Sequence, residues 1–491
     1  MRVPTIESLV VGALVLFGFR AQVAGIADNS TYVHLRTGIE MVRHSRIPRA
    51  DPYSFTAFGH PWVVQSWFAS LVYGLAYVHL GPHVLLLLNG ALGACLAWVV
   101  ARLARTGSAV RTMATASIAV LGGAIYWAPR PLMFGLLALG LLITVVERRA
   151  SFWWLLPIGW LWVNTHGSFP LGAAWLGARA VGEALDVKRW PRWLNRYLLA
   201  FVAALGLGAV NPLGPRLLAF PLAIQSKQAV FRNVVEWRSP DFQSNTGLGS
   251  LAFIGLVLLI LLRARLSWSD VVPVVGFLAL GLLSVRNMSG AAVVVAPALG
   301  RALHVGDHRA ADNQAEPIAT PAVTRPPPVN AIIASGMVLI GGLFLLNSSR
   351  GPTFELKGYP TQAEDFMARA GLLDPALHRV AAQDIVGCYL ILIRGTTGRV
   401  FIDDRVDMYP VNVSNSYDEL LHGAPDSIDI LNRAKVDVVL WDRRQALVGL
   451  LHNAGGWRQV YPAPAPSPSG PPDRRWVVLE RDPSVVPGTT A

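Results

Sequence analysis

The sequence predicts an α-helical polytopic membrane protein with an α/β domain at its C-terminal end. Of the 491 residues, 53% are hydrophobic and 15% are charged, whereas a soluble domain carries about 25% charged residues. The mean hydropathy is +0.43, and the apolar residues form many separate runs that are long enough for membrane helices. This composition excludes a soluble enzyme, a disordered chain and a protein with a single membrane anchor.

The positive charge of the chain indicates membrane topology rather than binding of nucleic acid. The net charge is +12, but the basic residues lie mainly in short turns between apolar runs, where they mark the cytoplasmic side. With these turns inside, the N-terminus is cytoplasmic and the residues after 347 lie outside the plasma membrane. Four such turns hold eleven basic residues: Arg102, Arg105 and Arg111; Arg148 and Arg149; Lys188, Arg189, Arg192 and Arg196; Arg263 and Arg265.

The apolar runs predict about eleven transmembrane helices. The first run lacks a convincing cleavage site, so we expect a retained helix. Segment 62–80 is predicted to lie in the membrane interface, because a crossing there would place the arginines of the following turn outside. The predicted spans are 9–24, 84–101, 113–128, 132–146, 152–164, 169–185, 197–210, 247–262, 270–285, 288–303 and 331–347.

Changes in composition predict two domains. Residues 1–350 form the membrane domain, with an interfacial outer loop over 25–82 and a polar cytoplasmic linker over 305–330. Residues 351–491 form an extracytoplasmic α/β domain, in which helical spacing predicts a helix over 360–373 and Pro and Ser residues predict a loop over 462–472. Short apolar runs predict its strands over 379–382, 390–393, 399–402, 436–441 and 476–479.

Polar motifs are concentrated in the outer loop that follows the first helix. Asp28 comes just after the first span, and His-Leu-Arg-Thr-Gly at 34–38, Pro-Arg-Ala-Asp-Pro-Tyr-Ser-Phe-Thr at 48–56 and Pro-Trp at 61–62 follow it. This arrangement resembles the GT-C superfamily of polyprenyl-phosphate-sugar glycosyltransferases, in particular a bacterial branch whose members are mostly uncharacterised. The resemblance extends over most of the chain through motifs at 211–214, 236–237, 239–242, 387–390 and 401–405.

The resemblance implies transfer of a sugar from a polyprenyl-phosphate donor to an envelope glycan, lipid or protein acceptor at the outer membrane surface, with Asp28 as general base. The chemistry requires a base for the acceptor hydroxyl and cations for the leaving phosphate. A single displacement would invert the anomeric carbon. Many GT-C enzymes have a second acid two residues on or in the next outer loop, where this chain has Ser30 and residues 128–131. Dependence on Mg²⁺ or Mn²⁺ and independence of metal therefore both remain open.

The donor is expected to contact polar side chains on the outer side of the membrane. Arg130 and Arg286 are suited to a phosphate, because a planar guanidinium binds it with two hydrogen bonds; the alternative is that both reach the interface as lipid anchors. Capping or structural roles are the alternatives for Asp28 and for the other candidates. The full set of predicted donor-binding residues is His34, Arg36, His60, Gln65, Arg130, Asn164, His166, Asn211, Glu236 and Arg286.

The sequence predicts no metal site and no nucleotide site. Cys95 and Cys388 are far apart, neither His34 nor His60 has a partner at the i+4 spacing of a zinc helix, and no phosphate-binding glycine loop is present. A nucleotide-sugar donor and a nucleic-acid partner are therefore not expected. The acidic turn at 403–407 is interpreted as solvated, with acceptor recognition as the hypothesis beside it.

Two other functional classes remain as alternatives. A lipid or sugar transporter or flippase would have internal repeats and broken helices near the membrane midplane, and we find no convincing repeat. A catalytically inactive GT-C scaffold that binds lipid-linked sugar is compatible with the missing second acid.

Overall fold

The structure of the chain is a computed structural model that describes residues 3–231, 234–304, 326–462 and 475–482. The predicted linker at 305–330 lies outside the described residues except for 326–330, and so does the predicted loop at 462–472 except for residue 462. The described residues are mostly helical, with one small sheet.

The described residues form a succession of α-helices, some of which, such as Asn29–His44, no predicted span covers. In chain order they are α1 (Ile6–Gln22), α2 (Asn29–His44), α3 (Trp67–Leu80), α4 (Val84–Leu103), α5 (Ala109–Ala124), α6 (Leu132–Glu147), α7 (Leu155–Thr165), α8 (Pro170–Val187), α9 (Asn195–Gly208), α10 (Arg216–Ser226), α11 (Gln228–Phe231), α12 (Asn245–Leu261), α13 (Trp268–Leu283), α14 (Met288–Ala302), α15 (Val329–Arg350), α16 (Thr361–Arg369), α17 (Asp384–Arg394), α18 (Val411–His422), α19 (Ser427–Arg433) and α20 (Ala446–Ala454).

The chain divides into two compact units. The helical unit comprises Met1–Ile26, His79–Pro221 and Val234–Thr353, and the α/β unit comprises Ala27–Val78, Leu222–Asn233 and Phe354–Ala491. Most of the outer loop, which the composition assigns to the membrane domain, thus has its packing contacts within the same unit as the C-terminal residues.

Helices stand at the positions of all the predicted spans, but two of them are long and apolar enough to cross a membrane by length and composition among the described residues. These are α4 and α15. Only a small share of α15 is buried among the described residues. Crossing of the membrane stays a prediction for every helix.

The core of the helical unit is built around α14. Every residue from Met288 to Gly300 is buried, and the helix contacts α4, α5, α6, α12 and α13. Its sequence consists largely of Gly, Ala, Ser and Val, and small side chains let neighbouring helices approach closely. A helix that is apolar on all sides belongs in such a central position.

An ion-pair network joins four helices of the same unit. Glu147 on α6 contacts Arg179 on α8 at 3.1 Å and Arg301 on α14 at 2.7 Å. Arg301 also contacts Asp270 on α13, to which its Nε donates at 2.9 Å. Charges within apolar helices are costly unless they are paired. The network therefore fixes which ends of these helices meet.

The sheet of the α/β unit has four strands in the order β1-β2-β4-β3. The strands are β1 (Val380–Ala382), β2 (Val438–Asp442), β3 (Trp457–Tyr461) and β4 (Trp476–Arg481). β1 and β2 are parallel, and β4 is antiparallel to both of its neighbours, β2 and β3. The predictions for β1, β2 and β4 are confirmed, whereas β3 was not predicted.

Two predicted strands are wrong. Residues 390–393 lie within α17, because an apolar run this short fits a buried helix as well as a strand. Residues 399–402 form no strand; Val400 makes single bridges to Ser54 and to Val380. Its backbone N–H donates to the carbonyl of Tyr53 at 2.9 Å, which connects this segment to the outer loop.

Helices α2 and α3 cross at two glycines. A Cβ added at Gly38 would lie 1.8 Å from the carbonyl oxygen of Ser70, and one added at Gly74 would lie 2.2 Å from the carbonyl carbon of Gly38. The two backbones therefore touch, and no larger residue fits without separating the helices.

We expect Gly38→Ala to lower the free energy of unfolding by about 1–3 kcal/mol or more, because the added methyl group overlaps backbone atoms. Gly449→Ala is the matched control: Gly449 lies in α20 of the same unit with no atom within 4 Å of an added Cβ, so alanine should stabilise its helix by about 0.5–1 kcal/mol. Thermal unfolding of both variants in detergent measures the difference. Equal midpoints would show that the glycine contact does not hold α2 against α3.

Candidate active site

Arg405 is buried between two carboxylates of the α/β unit. Its Nη2 contacts Asp51 Oδ1 at 2.8 Å and Asp403 Oδ2 at 2.6 Å, and its Nε donates to Asp403 Oδ1 at 2.7 Å. The exposed fractions of Asp51, Asp403 and Arg405 are 2%, 0% and 7%. The interpretation of Asp403 and Arg405 as members of a solvated acidic turn is therefore wrong, because both are buried and paired.

Aromatic rings surround this guanidinium. The Arg405 carbon Cζ lies 4.4 Å from the ring centre of Trp62 and 5.0 Å from that of Tyr53, distances at which a cation is attracted to the ring faces. The hydroxyl of Tyr409 donates to Asp403 at 2.7 Å. The motifs at 48–56, 61–62 and 401–405 thus form one structural core.

Asp51 also shapes the turn that follows it. Its Oδ1 accepts from the backbone N–H of Tyr53 at 3.1 Å, and its Oδ2 accepts from the N–H of Ser54 at 3.0 Å and from the Ser54 hydroxyl. Asp followed by Pro favours such a turn, because the carboxylate replaces a backbone acceptor and Pro fixes its own φ. This explains the Asp-Pro-Tyr-Ser motif without a catalytic role.

Asp28 is the N-cap of α2. Its Oδ1 accepts from the backbone N–H of Thr31 at 3.0 Å and from the Thr31 hydroxyl at 3.1 Å. The structural alternative for this residue, a helix cap, is therefore present. Capping does not exclude a catalytic role, because the side chain is only partly buried and the N-terminal end of a helix favours a negative charge.

A second carboxyl group lies at the same end of α2. Asn29, the first residue of the helix, donates from Nδ2 to Asp404 Oδ2 at 3.3 Å. The backbone N–H of Asp404 donates to the sulfur of Cys388 on α17 at 3.4 Å. Burial, together with the charges of Asp403 and Asp28, raises the pKa of Asp404 to about 7. The sequence predicts Asp404 only as part of the acidic turn at 403–407, whereas the structure brings it to the N-terminal end of α2.

A cluster of aromatic residues stands beside Asp28. The ring centres of Tyr32 and Tyr359 are 5.5 Å apart, and those of Tyr359 and Tyr389 are 5.4 Å apart. The Tyr359 hydroxyl donates to the carbonyl of Ala27, the residue before Asp28, at 3.1 Å. Sequence reasoning missed this cluster, because its members come from α2, α17 and the segment that precedes α16.

Three predicted donor-binding residues meet in the helical unit. Arg130 Nη2 contacts Glu236 Oε1 at 2.7 Å. Arg286 lies over the ring of Trp237, with Cζ 4.6 Å from the ring centre. Two guanidinium groups, one carboxylate and one indole therefore form an arginine cluster with an excess positive charge, which consists of Arg130, Glu236, Trp237 and Arg286.

Three other predicted residues of this unit have local structural partners. Asn164 donates to the carbonyls of Trp160 at 2.8 Å and of Gly208 at 3.4 Å, which joins α7 to the end of α9. His166 Nδ1 is 2.9 Å from the hydroxyl of Ser168. Asn211 donates to the carbonyl of Gly208 at 2.6 Å and accepts from the N–H of Leu213 at 2.7 Å.

The remaining predicted residues belong to the α/β unit. His34 Nδ1 is 3.0 Å from the Ser70 hydroxyl, and Arg36 Nη2 forms an ion pair with Glu40 at 2.8 Å. Gln65 accepts from the Ser66 hydroxyl at 2.8 Å, and His60 is exposed in a turn. The structure does not join these four residues into one cluster.

No protein-family model matches the sequence, and no curated protein matches it significantly. In the part of the chain that the structure describes, no group of three His, Cys, Asp or Glu side chains could hold a metal ion. Asp28 with its neighbours in the α/β unit and the arginine cluster in the helical unit are the two candidate functional groups.

The raised pKa of Asp404 should make the free energy of unfolding depend on pH. Because the folded state holds the proton of Asp404 above the ordinary pKa of about 3.9, it binds more protons than the unfolded chain between about pH 4 and 7. This contribution to the free energy of unfolding is fully present below that window and is lost as the pH rises through it. Asp404→Asn removes this contribution.

Thermal unfolding of wild type and Asp404→Asn at pH 5 and pH 8 measures the effect. The unfolding temperature of the variant minus that of wild type should be higher at pH 8 than at pH 5. Asp365→Asn, at an exposed position on α16, is the control and should follow wild type at both pH values. A constant offset between Asp404→Asn and wild type would contradict the raised pKa.

Proposed function

We propose that the protein is a multi-pass plasma-membrane glycosyltransferase of the GT-C type. It transfers a sugar from a polyprenyl-phosphate donor to a cell-envelope acceptor on the outer face, with Asp28 as general base. The observation that carries this proposal is the carboxylate of Asp28 at the N-terminus of α2, where the next residue, Asn29, contacts a second carboxyl group, Asp404, whose pKa is raised to about 7.

The proposed reaction is one displacement. Asp28 takes the proton from the acceptor hydroxyl while the acceptor oxygen bonds to the anomeric carbon. The bond from that carbon to the phosphate oxygen breaks, and its electron pair leaves with polyprenyl phosphate. The anomeric configuration is inverted. A base held in position contributes about 10²- to 10⁴-fold to such a step.

Asp404 assists through its raised pKa. A carboxyl group that holds its proton adds no negative charge to the site. It thereby reduces the negative charge that an anionic donor meets.

Within the helical unit, the arginine cluster is suited to binding a phosphate group. Arg130 and Arg286 carry more positive charge than Glu236 neutralises, and a planar guanidinium binds a phosphate with two hydrogen bonds. For the acceptor, the rings of Tyr32, Tyr359 and Tyr389 beside Asp28 offer an apolar surface with polar edges. This favours an acceptor that presents a sugar ring.

Sugar transfer by the purified protein in lipid nanodiscs tests the proposal. A panel of labelled polyprenyl-phosphate monosaccharides is the donor, and a membrane extract of envelope glycans is the acceptor. Asp28→Asn should lower the transfer rate by about 10²- to 10⁴-fold. Asn caps a helix as well as Asp does, so the variant should unfold at the temperature of the wild type.

Asp365→Asn is the matched control and should retain the wild-type rate, because it makes the same carboxyl-to-amide change at an exposed position. EDTA separates metal-dependent from metal-independent transfer. Full activity of Asp28→Asn would overturn the assignment of the base. Movement of an unaltered lipid-linked sugar between leaflets would favour a flippase, and binding of donor without transfer or movement would favour an inactive scaffold.

The proposed topology makes a separate prediction. In a Cys95→Ala background, Arg433→Cys lies in the α/β unit and should react with a membrane-impermeant maleimide in right-side-out vesicles. Arg189→Cys lies in the turn between α8 and α9 and should react only after the vesicles are permeabilised. Both positions are exposed. Labelling of Arg189→Cys in sealed vesicles would contradict the cytoplasmic assignment of this turn.

A further inference from the structure

We propose that Glu236 competes with the phosphate of the donor for Arg130 and returns to Arg130 as the product leaves. The identity of the competing anion as a lipid phosphate rests on the proposed function. The competition itself depends on the geometry of the arginine cluster.

The ion pair between Arg130 and Glu236 is suited to exchange. The two side chains are 2.7 Å apart at their closest atoms, and their exposed fractions are 18% for Arg130 and 40% for Glu236. An ion pair with one exposed partner holds that partner less firmly than a fully buried pair does. An incoming anion can therefore replace the carboxylate at small cost, while the less exposed guanidinium stays in place.

The backbone beside Glu236 is fixed. The Ser284 hydroxyl donates to the carbonyl of Glu236 at 3.0 Å, and the N–H of Val285 donates to the carbonyl of Arg238 at 2.9 Å. The short 3-10 helix Val235–Trp237 is thereby held against Val285–Asn287, which carries Arg286. Exchange of the anion requires only a rotation of the Glu236 side chain.

The charge of the ligand changes during the proposed reaction, and this charge determines how strongly the ligand competes with Glu236. With Glu236 paired, the cluster carries a net charge of +1 from two arginines and one glutamate. A donor phosphodiester carries one negative charge, whereas the phosphate monoester that leaves carries about −1.5 to −2 near pH 7. The ligand therefore becomes more negative as the sugar departs, and it competes most strongly with Glu236 at that stage. Without a competing carboxylate the product would stay bound to the arginines. The return of Glu236 to Arg130 favours its release.

Binding of undecaprenyl monophosphate to the protein in nanodiscs tests this inference. Glu236→Gln removes the competing charge and should lower the Kd by about 5- to 10-fold. Arg130→Gln should raise the Kd at least tenfold. Glu355→Gln, an exposed glutamate of the α/β unit, is the control and should bind as wild type does. Glu236→Ser is a second variant with the same expected direction if Glu236→Gln does not fold.

If Glu236 only orients Arg130, both variants at position 236 would bind the lipid more weakly or unchanged, and the inference would be overturned. Inorganic phosphate is the second probe. Tightening for inorganic phosphate alone would overturn the lipid phosphate as the competing anion. Sugar transfer is not needed for these measurements. Tighter lipid binding without transfer would support the competition and reject the proposed function, whereas transfer with unchanged binding would reject the competition alone.

Discussion

The pairing of Arg405 with two carboxylates is the constraint on which the α/β unit depends. One cation between Asp51 and Asp403 leaves the buried group with an excess negative charge, and the charge of Asp403 is one of the causes that raise the pKa of Asp404. The contact that joins the outer loop to the C-terminal residues therefore also contributes to the raised pKa of Asp404. Asp403 thus both pairs with Arg405 in the core of the α/β unit and influences the pKa of Asp404.

Hydrophobic runs predict the helices of the helical unit well, because each run stays apolar over the length of a helix and ends at charged or glycine-rich turns. The same signal fails in the α/β unit. Residues 390–393 are as apolar as a buried strand but belong to α17. Trp457–Tyr461 is a strand, but it contains polar residues and so does not form an apolar run that would predict it. Short segments take their conformation from tertiary partners that local sequence does not reveal.

The sequence likewise predicts some contacts of the candidate functional residues and misses others. The meeting of Arg130, Glu236 and Arg286 agrees with the predicted spans, which place all three residues on the outer side of the membrane. Asn164 and Asn211 satisfy that expectation but donate to the carbonyl of Gly208 at the end of α9. Position along a helix does not distinguish a capping amide from a binding one. Asn29 and Asp404 are far apart in the chain but in contact in the structure. The composition of the sequence does not predict a contact between two such distant residues.

The cap formed by Asp28 has a consequence for how such a protein changes over generations. Asparagine accepts the hydrogen bonds of Thr31 as well as aspartate does, so selection for a stable fold does not distinguish the two residues at this position. One codon change is enough to exchange them. Under the proposed function, descendants that carry Asp28→Asn would keep the fold and the arginine cluster but lose the base. Loss of the proposed activity would thus take one mutation, with no cost in stability to oppose it.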